Sequence, residues 1–365
     1  MDRFIPAWSL SNPVSRRKTK EIMVGNVGIG GSNPVRIQSM TNTDTMDTIA
    51  TVEQTLRLVE KGCELVRITA SNVQAAQNLY NIKNELAKRN CYVPLIADIH
   101  FNPKAAEVAA SIVEKVRINP GNYTDRNISK IQYSDREYEQ ELEKIAERLS
   151  PLIDICKQNN TAIRIGTNHG SLSQRIMARY GDTPFAMACS AMEFVEICNG
   201  LNFDNLVLSM KASNVKVMHY ATRMLCCMME EKGFNLPIHL GVTEAGNEME
   251  GRVKSICGIG SLLALGIGDT IRVSLSDDPI EEIPVCKEIL KNCNLYNKSP
   301  KLVACPTCGR KRIGESKKKD NNDFMEIVKT LNLDYELLGE YVGVFDKIKC
   351  KCKICGYEFE RSPNN

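Results

Sequence analysis

Between Val35 and Leu275, short runs rich in Val, Ile and Leu alternate with longer segments whose apolar residues recur at three-to-four spacing. That alternation of period two with period 3.6 is the signature of βαβ units. Eight such runs occur: VRIQSM from Val35, LVRITA from Leu65, PLIADI from Pro94, KVRINPG from Lys115, AIRIGTN from Ala162, NLVLSMKAS from Asn205, PIHLGVTEAG from Pro237 and DTIRVSL from Asp269. TIATVEQTLRLVEKG, after the first run, has the spacing of an amphipathic helix and a Gly directly after its last turn. Eight strands alternating with helices over about 250 residues predict an α/β fold, a (β/α)8 TIM barrel. The competing doubly wound open sheet lacks support, because no glycine-rich dinucleotide turn follows the first strand.

The pattern changes after Leu275. DDPIEEIPVCKEILKNCNL reads as a closing amphipathic helix, and KSPKLVACPTCG begins a different composition. The expected organisation is a barrel domain over residues 1–299 and a small Cys-rich metal-binding domain over 300–365. Within the latter, residues 311–323 read as a charged loop, FMEIVKTLNL as a short helix, and KIKCKCKICGYEFERSPNN as a hairpin carrying a metal knuckle.

Composition narrows the function classes. Hydrophobic residues make up 43% and charged residues 25%, which suits a folded globular chain. The net charge of +3 is too small to predict nucleic acid or a membrane as partner, so any anion site must be local. The first residues lack the apolar run of a signal peptide, and no stretch approaches a spanning length, so a cytoplasmic protein is expected. Of the 15 cysteines, those from Cys63 to Cys293 sit mostly in apolar segments and read as buried reduced thiols.

Active sites of such barrels lie at the C-terminal ends of the strands. Alternation along each strand puts Arg67 with Thr69, Asp98 with His100, Arg117 with Asn119, Arg164 with Asn168, Lys211 with Ser213, and Arg272 with Ser274 on common faces. Five of these residues are cations: Arg67, Arg117, Arg164, Lys211 and Arg272. Converging cations call for a multiply charged anion, a phosphate or diphosphate. The alternative is pairing with carboxylates such as Asp98, Glu244 and Asp269. Asn42, Asn119, Asn122, Asn168 and Ser171 can add hydrogen bonds. Glu244 is the candidate acid for a leaving hydroxyl, with a salt bridge as its plainer role. Asp98 and His100 can orient each other or a substrate hydroxyl.

Cys305 and Cys308 have the CxxC spacing that turns two thiolates toward one metal, and Cys352 and Cys355 repeat it, with Cys350 as a spare thiol. A zinc ribbon and an iron–sulfur cluster both remain open on spacing alone.

Eight ordered motifs, IQSMTNTDTMD from Ile37, ADIHFNP from Ala97, RINPGN from Arg117, RIGTNHGSL from Arg164, LSMKAS from Leu208, HLGVTEAG from His239, GIGDTIRVSL from Gly266 and ACPTCGR from Ala304, resemble the 4-hydroxy-3-methylbut-2-en-1-yl diphosphate synthase family, IspG or GcpE. The resemblance runs from about residue 20 to Arg310. It implies a TIM barrel binding 2-C-methyl-D-erythritol 2,4-cyclodiphosphate and a C-terminal domain with a [4Fe-4S] cluster. Flavodoxin or ferredoxin would supply two electrons for reductive ring opening and loss of a hydroxyl as water, in non-mevalonate isoprenoid synthesis. It further implies that Arg67, Arg117, Arg164, Asn168, Lys211, Arg272 and Ser274 hold the diphosphate, that Glu244 acts near the leaving hydroxyl, and that the protein is a homodimer. The family's Gly-Cys-Val-Val-Asn-Gly-Pro-Gly-Glu segment, with its third cysteine and glutamate ligand, does not occur here. In its place stand a Lys-rich loop and CKCKICGYEFERSPNN, which is similar to zinc-ribbon segments. The competing functions are a diphosphate-binding barrel with a structural zinc ribbon, and a non-redox barrel enzyme related to pterin-binding synthases.

Overall fold

The computed structural model describes residues 15–99, 101–123, 132–246, 248–296, 335–340, 347–353 and 355–361. The expected charged loop over 311–323, the short helix FMEIVKTLNL, and Cys305, Cys308 and His100 lie outside the described residues. The chain divides into two compact units, Met1–Pro300 and Lys301–Asn365.

In the first unit, all eight expected runs are strands: β3 Arg36–Met40, β4 Leu65–Thr69, β5 Leu95–Asp98, β6 Lys115–Ile118, β7 Ala162–Asn168, β8 Leu206–Lys211, β9 His239–Leu240 and β10 Thr270–Ile271. They form one parallel sheet in the order β8-β7-β6-β5-β4-β3-β10-β9. A parallel bridge between Leu208 and Ile238 brings β8 alongside β9 and completes the ring. The connecting helices start on side-chain caps that bond to otherwise orphaned backbone N–H groups. Asp47 caps Thr48–Glu60, Asn72 caps Val73–Lys88, Thr183 caps Pro184–Gly200 and Asn214 caps Val215–Glu231. Ser134 and Glu137 make a reciprocal capping box on Asp135–Asn159.

Outward-facing strand residues such as Val66, Ile68, Val116, Ile163, Ile165 and Leu208 pack against Leu58, Leu79, Ile82, Leu149 and Leu152 from the helices. This layer is the hydrophobic core. An antiparallel hairpin, β1 Ile22–Val24 and β2 Val27–Ile29, precedes the barrel. Its Ile22, Val24 and Ile29 cluster with Leu65, Ile96, Ala162 and Val207, inward residues near the N-terminal ends of the strands, so the floor of the barrel is an apolar plug. Sequence reading did not find this hairpin, although Gly25-Asn26 between IMV and VGI is a turn signal.

Six of the scattered cysteines are buried, but Cys257 is exposed, which corrects the expectation for that residue. It lies in a one-turn π-helix, Ile256–Gly260, where the wider winding turns its side chain outward. Among the described residues no helix is long and apolar enough to cross a membrane.

In the second unit, β11 Tyr335–Leu337, β12 Ile348–Cys352 and β13 Glu358–Arg361 form an antiparallel sheet. The expected C-terminal hairpin is its β12–β13 pair.

Candidate active site

Strand pairing fixes which side chains share the barrel interior. Arg67 lies beside Ile96 and Ile96 beside Lys115. Because barrel strands tilt, equal height is regained two residues further along on the second strand, at Arg117. The same step from Arg117 passes Arg164 and Val207 to Ser209, then His239 and Thr270 to Arg272, and closes on Arg67. Arg67, Arg117, Ser209 and Arg272 therefore form one interior layer, of the kind a TIM barrel stacks. Beneath it lie Gln38, Ile96, Arg164 and His239. Above it lie Met40, Asp98, Gly166 and Gly241, then Thr69, Asn119, Lys211 and Ser274.

The layer of Gly166 and Gly241 holds two residues without side chains. A Cβ built on Gly166 would meet Arg117 Nε at 2.6 Å, and one on Gly241 would meet Lys211 Nζ at 2.7 Å. The two glycines open the space into which these cations reach.

The five expected cations come together here, and Arg67, Arg117, Arg164 and Lys211 are buried. Asp98 lies 3.3 Å from Arg117 and 3.9 Å from Arg67, and Glu282 pairs with Arg272 at 3.1 Å. The pairing alternative thus holds in part, through Asp98, and through Glu282, which sequence reading left in the closing helix. Asp269 plays no part: it accepts from Thr19 and from the backbone N–H of Ile238 below the site. Glu244 is exposed, and no ion pair to it occurs among the described residues. Its φ of 51° lies in the left-handed region, where a side chain is strained.

Among the described residues, two paired carboxylates stand against five basic side chains, so basic groups outnumber acidic ones by three. Arg164 donates to Ser209 Oγ at 3.2 Å, while its Nε and Nη2 lack partners. Arg117 Nε is likewise unpartnered. Met40 places its sulfur 2.9 Å from Arg67 Nη2 and 3.4 Å from Arg272 Nη1, a weak acceptor standing where a strong one belongs. Burial, opposed by Asp98 and reinforced by Arg272 and Arg117, lowers the Arg67 pKa to about 10. Burial and then the neighbouring guanidiniums push Arg164 and Lys211 well below their ordinary values. A guanidinium stays charged, so this push is a repulsion that an incoming anion relieves.

Of the other expected residues, Asn119 is buried and accepts from the N–H of Gly121. Asn168 pairs in register with Lys211, and its Oδ1 is buried without a partner. Ser274 is half-buried, Asn122 donates its backbone N–H to Asn119, and Asn42 is held by Gln54.

In the C-terminal unit, the Cys352 N–H donates to Tyr357 O at 2.9 Å, and the Gly356 N–H to Cys352 O at 3.0 Å. Gly356 has φ 74°, so the chain turns as a knuckle needs to. That geometry fits Cys352 and Cys355 holding one metal together. Cys350 is buried, with its thiol 3.4 Å from Ile348 O. No cluster of three or more metal-ligating side chains occurs among the described residues.

A parallel eight-stranded ring with buried basic side chains at its C-terminal mouth defines a TIM barrel. The GcpE TIM-barrel domain model matches residues 19–287, and the chain belongs to that family. It is similar to the 4-hydroxy-3-methylbut-2-en-1-yl diphosphate synthase (flavodoxin) of Bacteroides thetaiotaomicron, 56% identical over 277 residues, 75% of this chain and 45% of that protein. The protein of the same name from Akkermansia muciniphila is 56% identical over 295 residues, 80% of this chain and 50% of that one. The chain spans about half the length of these curated relatives. Among solved structures, a sialic acid synthetase from Leptospira borgpetersenii aligns at TM-score 0.48 and 13% identity over 86% of this chain and 98% of that one, which carries no argument about function.

Proposed function

We propose that the chain converts 2-C-methyl-D-erythritol 2,4-cyclodiphosphate to 4-hydroxy-3-methylbut-2-en-1-yl diphosphate, consuming two electrons and two protons and releasing one water. The observation that carries this reading is the excess of buried cations around the space left by Gly166 and Gly241. A diphosphate supplies the missing charge and accepts the idle N–H groups of Arg117 and Arg164. Arg67, Arg117, Arg164, Asn168, Lys211, Arg272 and Ser274 hold it, with Asp98, His100 and Asn119 around the carbon skeleton. Glu244, without an ion-pair partner among the described residues, gives a proton to the departing hydroxyl.

The proposed division is a barrel over 1–299 and a metal-binding unit over 300–365. Cys305, Cys308, Cys352 and Cys355 would hold a [4Fe-4S] cluster, which supplies the electrons when bound. Flavodoxin, the donor in the relatives' names, or ferredoxin is the proposed reductant. A cytoplasmic setting and, from the resemblance, a homodimer complete the reading. The knuckle and three-stranded sheet also support a second reading, a structural zinc ribbon behind a diphosphate-binding barrel.

Anaerobic purification with iron and zinc analysis, followed by turnover with reduced flavodoxin, tests the proposal. About four irons per chain and formation of the linear diphosphate are expected. One zinc per chain and no product would leave the second reading.

A further inference from the structure

Lys115 opens β6 two layers beneath the diphosphate site. Its inward neighbours at that height are Leu65, Val207 and Thr270, and the plug below is apolar. Its side chain is fully buried, and its Nζ has no hydrogen-bond partner among the described residues. Above it, Gln38 has both amide atoms unpartnered, Arg164 has Nε and Nη2 free, and His239 has Nε2 free, while His239 Nδ1 meets Thr270 Oγ1 at 2.7 Å. A group of buried, unpartnered polar atoms, most of them donors and Gln38 Oε1 an acceptor, thus continues the anion site downward.

A leucine or methionine would fill this height without an orphan, so the amine costs more here than either of them. We infer that Lys115 is a further ligand of the diphosphate, a sixth basic side chain that reaches it from below and takes up a proton from solvent as the anion binds. The inference rests on the diphosphate reading above. Without an anion, the amine is buried with no hydrogen-bond partner among the described residues, and burial disfavours its charged form. Arg164 on β7 and Arg67 on β4 oppose its protonation, and the further basic groups of the interior are Arg117 on its own strand, Lys211 on β8 and Arg272 just past β10. His239 on β9 is held neutral by burial and the same cations. The carboxylates of the site, Asp98 and Glu282, are engaged by arginines. Burial, then Arg164 and Arg67, lowers the Lys115 pKa well below its ordinary value, in agreement with this placement. An arriving diphosphate reverses the sign of the local field, and the amine then binds a proton: R–NH2 plus H+ gives R–NH3+.

Calorimetric titration of the full chain with inorganic pyrophosphate and with the cyclodiphosphate, in two buffers of different ionisation enthalpy, counts the protons taken up. Lys211 is present in both proteins, so its own titration cancels between wild type and Lys115→Met. The wild type is expected to take up close to one proton more than the variant and to bind at least roughly tenfold tighter. Lys115→Gln serves if the methionine variant does not fold. Equal proton counts and equal affinities overturn the inference, as does a wild type that binds either ligand with no proton uptake. Binding of pyrophosphate without the cyclodiphosphate overturns the proposed function and leaves Lys115 to be judged on pyrophosphate. Binding of neither overturns both.

Discussion

Gly166 and Gly241 share one interior layer of the barrel, and each gives its missing side-chain volume to a cation, Arg117 beneath the first and Lys211 above the second. The two contacts differ in what else a methyl group would meet. At Gly166 the other neighbours are the flexible Arg117 Cγ at 3.3 Å and Ser209 Oγ at 3.4 Å. At Gly241 the Arg272 carbonyl lies at 2.9 Å and belongs to the backbone. Gly166→Ala is therefore expected to fold with little loss of stability and to lose diphosphate affinity, by roughly tenfold or more, because Arg117 is displaced from its bonding position. Gly241→Ala is expected to lose stability as well. Melting curves paired with calorimetry separate the two, and an unchanged affinity in Gly166→Ala would remove the glycine cradle from the account.

Charge removal at the cradle should act in opposite directions on binding and on stability. Arg164→Met and Lys211→Met are each expected to weaken diphosphate binding by ~1.5 to 3 kcal/mol, the range of charge-assisted bonds. The ligand-free variants should melt higher than wild type, since each loses a buried cation repelled by its neighbours. Variants that bind as wild type does would return these residues to a structural role.

Much of this was legible in the sequence because the chain obeys two periods at once. Period two along β4, β6, β7, β8 and the run that contains β10 alternated apolar residues with Arg67, Arg117, Arg164, Lys211 and Arg272, so strand and site were read from the same runs. Glu282 was not legible as a partner, since its reach to Arg272 crosses from helix to strand and depends on how the ring closes. Lys115 was passed over because it stands at the beginning of its strand, where a lysine is ordinarily a solvated end. Only the apolar hairpin, itself unread, makes that end an interior. Gly166 and Gly241 drew no reading at all, because only the strand pairing puts them at one height.

Asp98 is the only carboxylate within 4 Å of Arg67 and Arg117 among the described residues. Asp98→Asn is expected to destabilise the ligand-free protein by about 3 kcal/mol or more, because two buried guanidiniums lose their counter-charge. Pyrophosphate should then raise the variant's melting temperature by more than it raises that of the wild type. An equal rise in both would mean that Asp98 does not balance the anion site.

Glu244 carries two separable properties, its carboxyl and its left-handed backbone. Glu244→Gln keeps the shape and removes the acid, so substrate affinity should hold while kcat falls, the pattern of a group acting in the transition state. Glu244→Gly also removes the acid but relieves the backbone, and should melt higher than Glu244→Gln by about 1 kcal/mol. Equal losses in affinity and rate for the glutamine variant would point to a binding role instead.

The pH dependence of stability isolates Lys115 without any ligand. Burial and neighbouring cations depress its folded-state pKa, while in the unfolded chain the amine titrates near its ordinary ~10.4. Between those two values the unfolded state holds a proton that the folded state lacks. Stability then rises with pH, because its slope follows the protons bound by the unfolded state minus those bound by the folded one. Below the folded-state value both states are protonated, and the full penalty persists. Lys115→Met removes the penalty, so it should stabilise the protein at neutral pH by about 2 kcal/mol, the scale of an unsatisfied buried polar group. The gain should shrink steadily as pH approaches ~10, where the unfolded amine is also neutral. Lys211 titrates alike in both proteins and drops out of the difference. Paired melting curves from neutral to alkaline pH make the test. A methionine variant that is less stable than wild type, or a difference that does not change with pH, would show that the Lys115 amine has an acceptor in the folded protein.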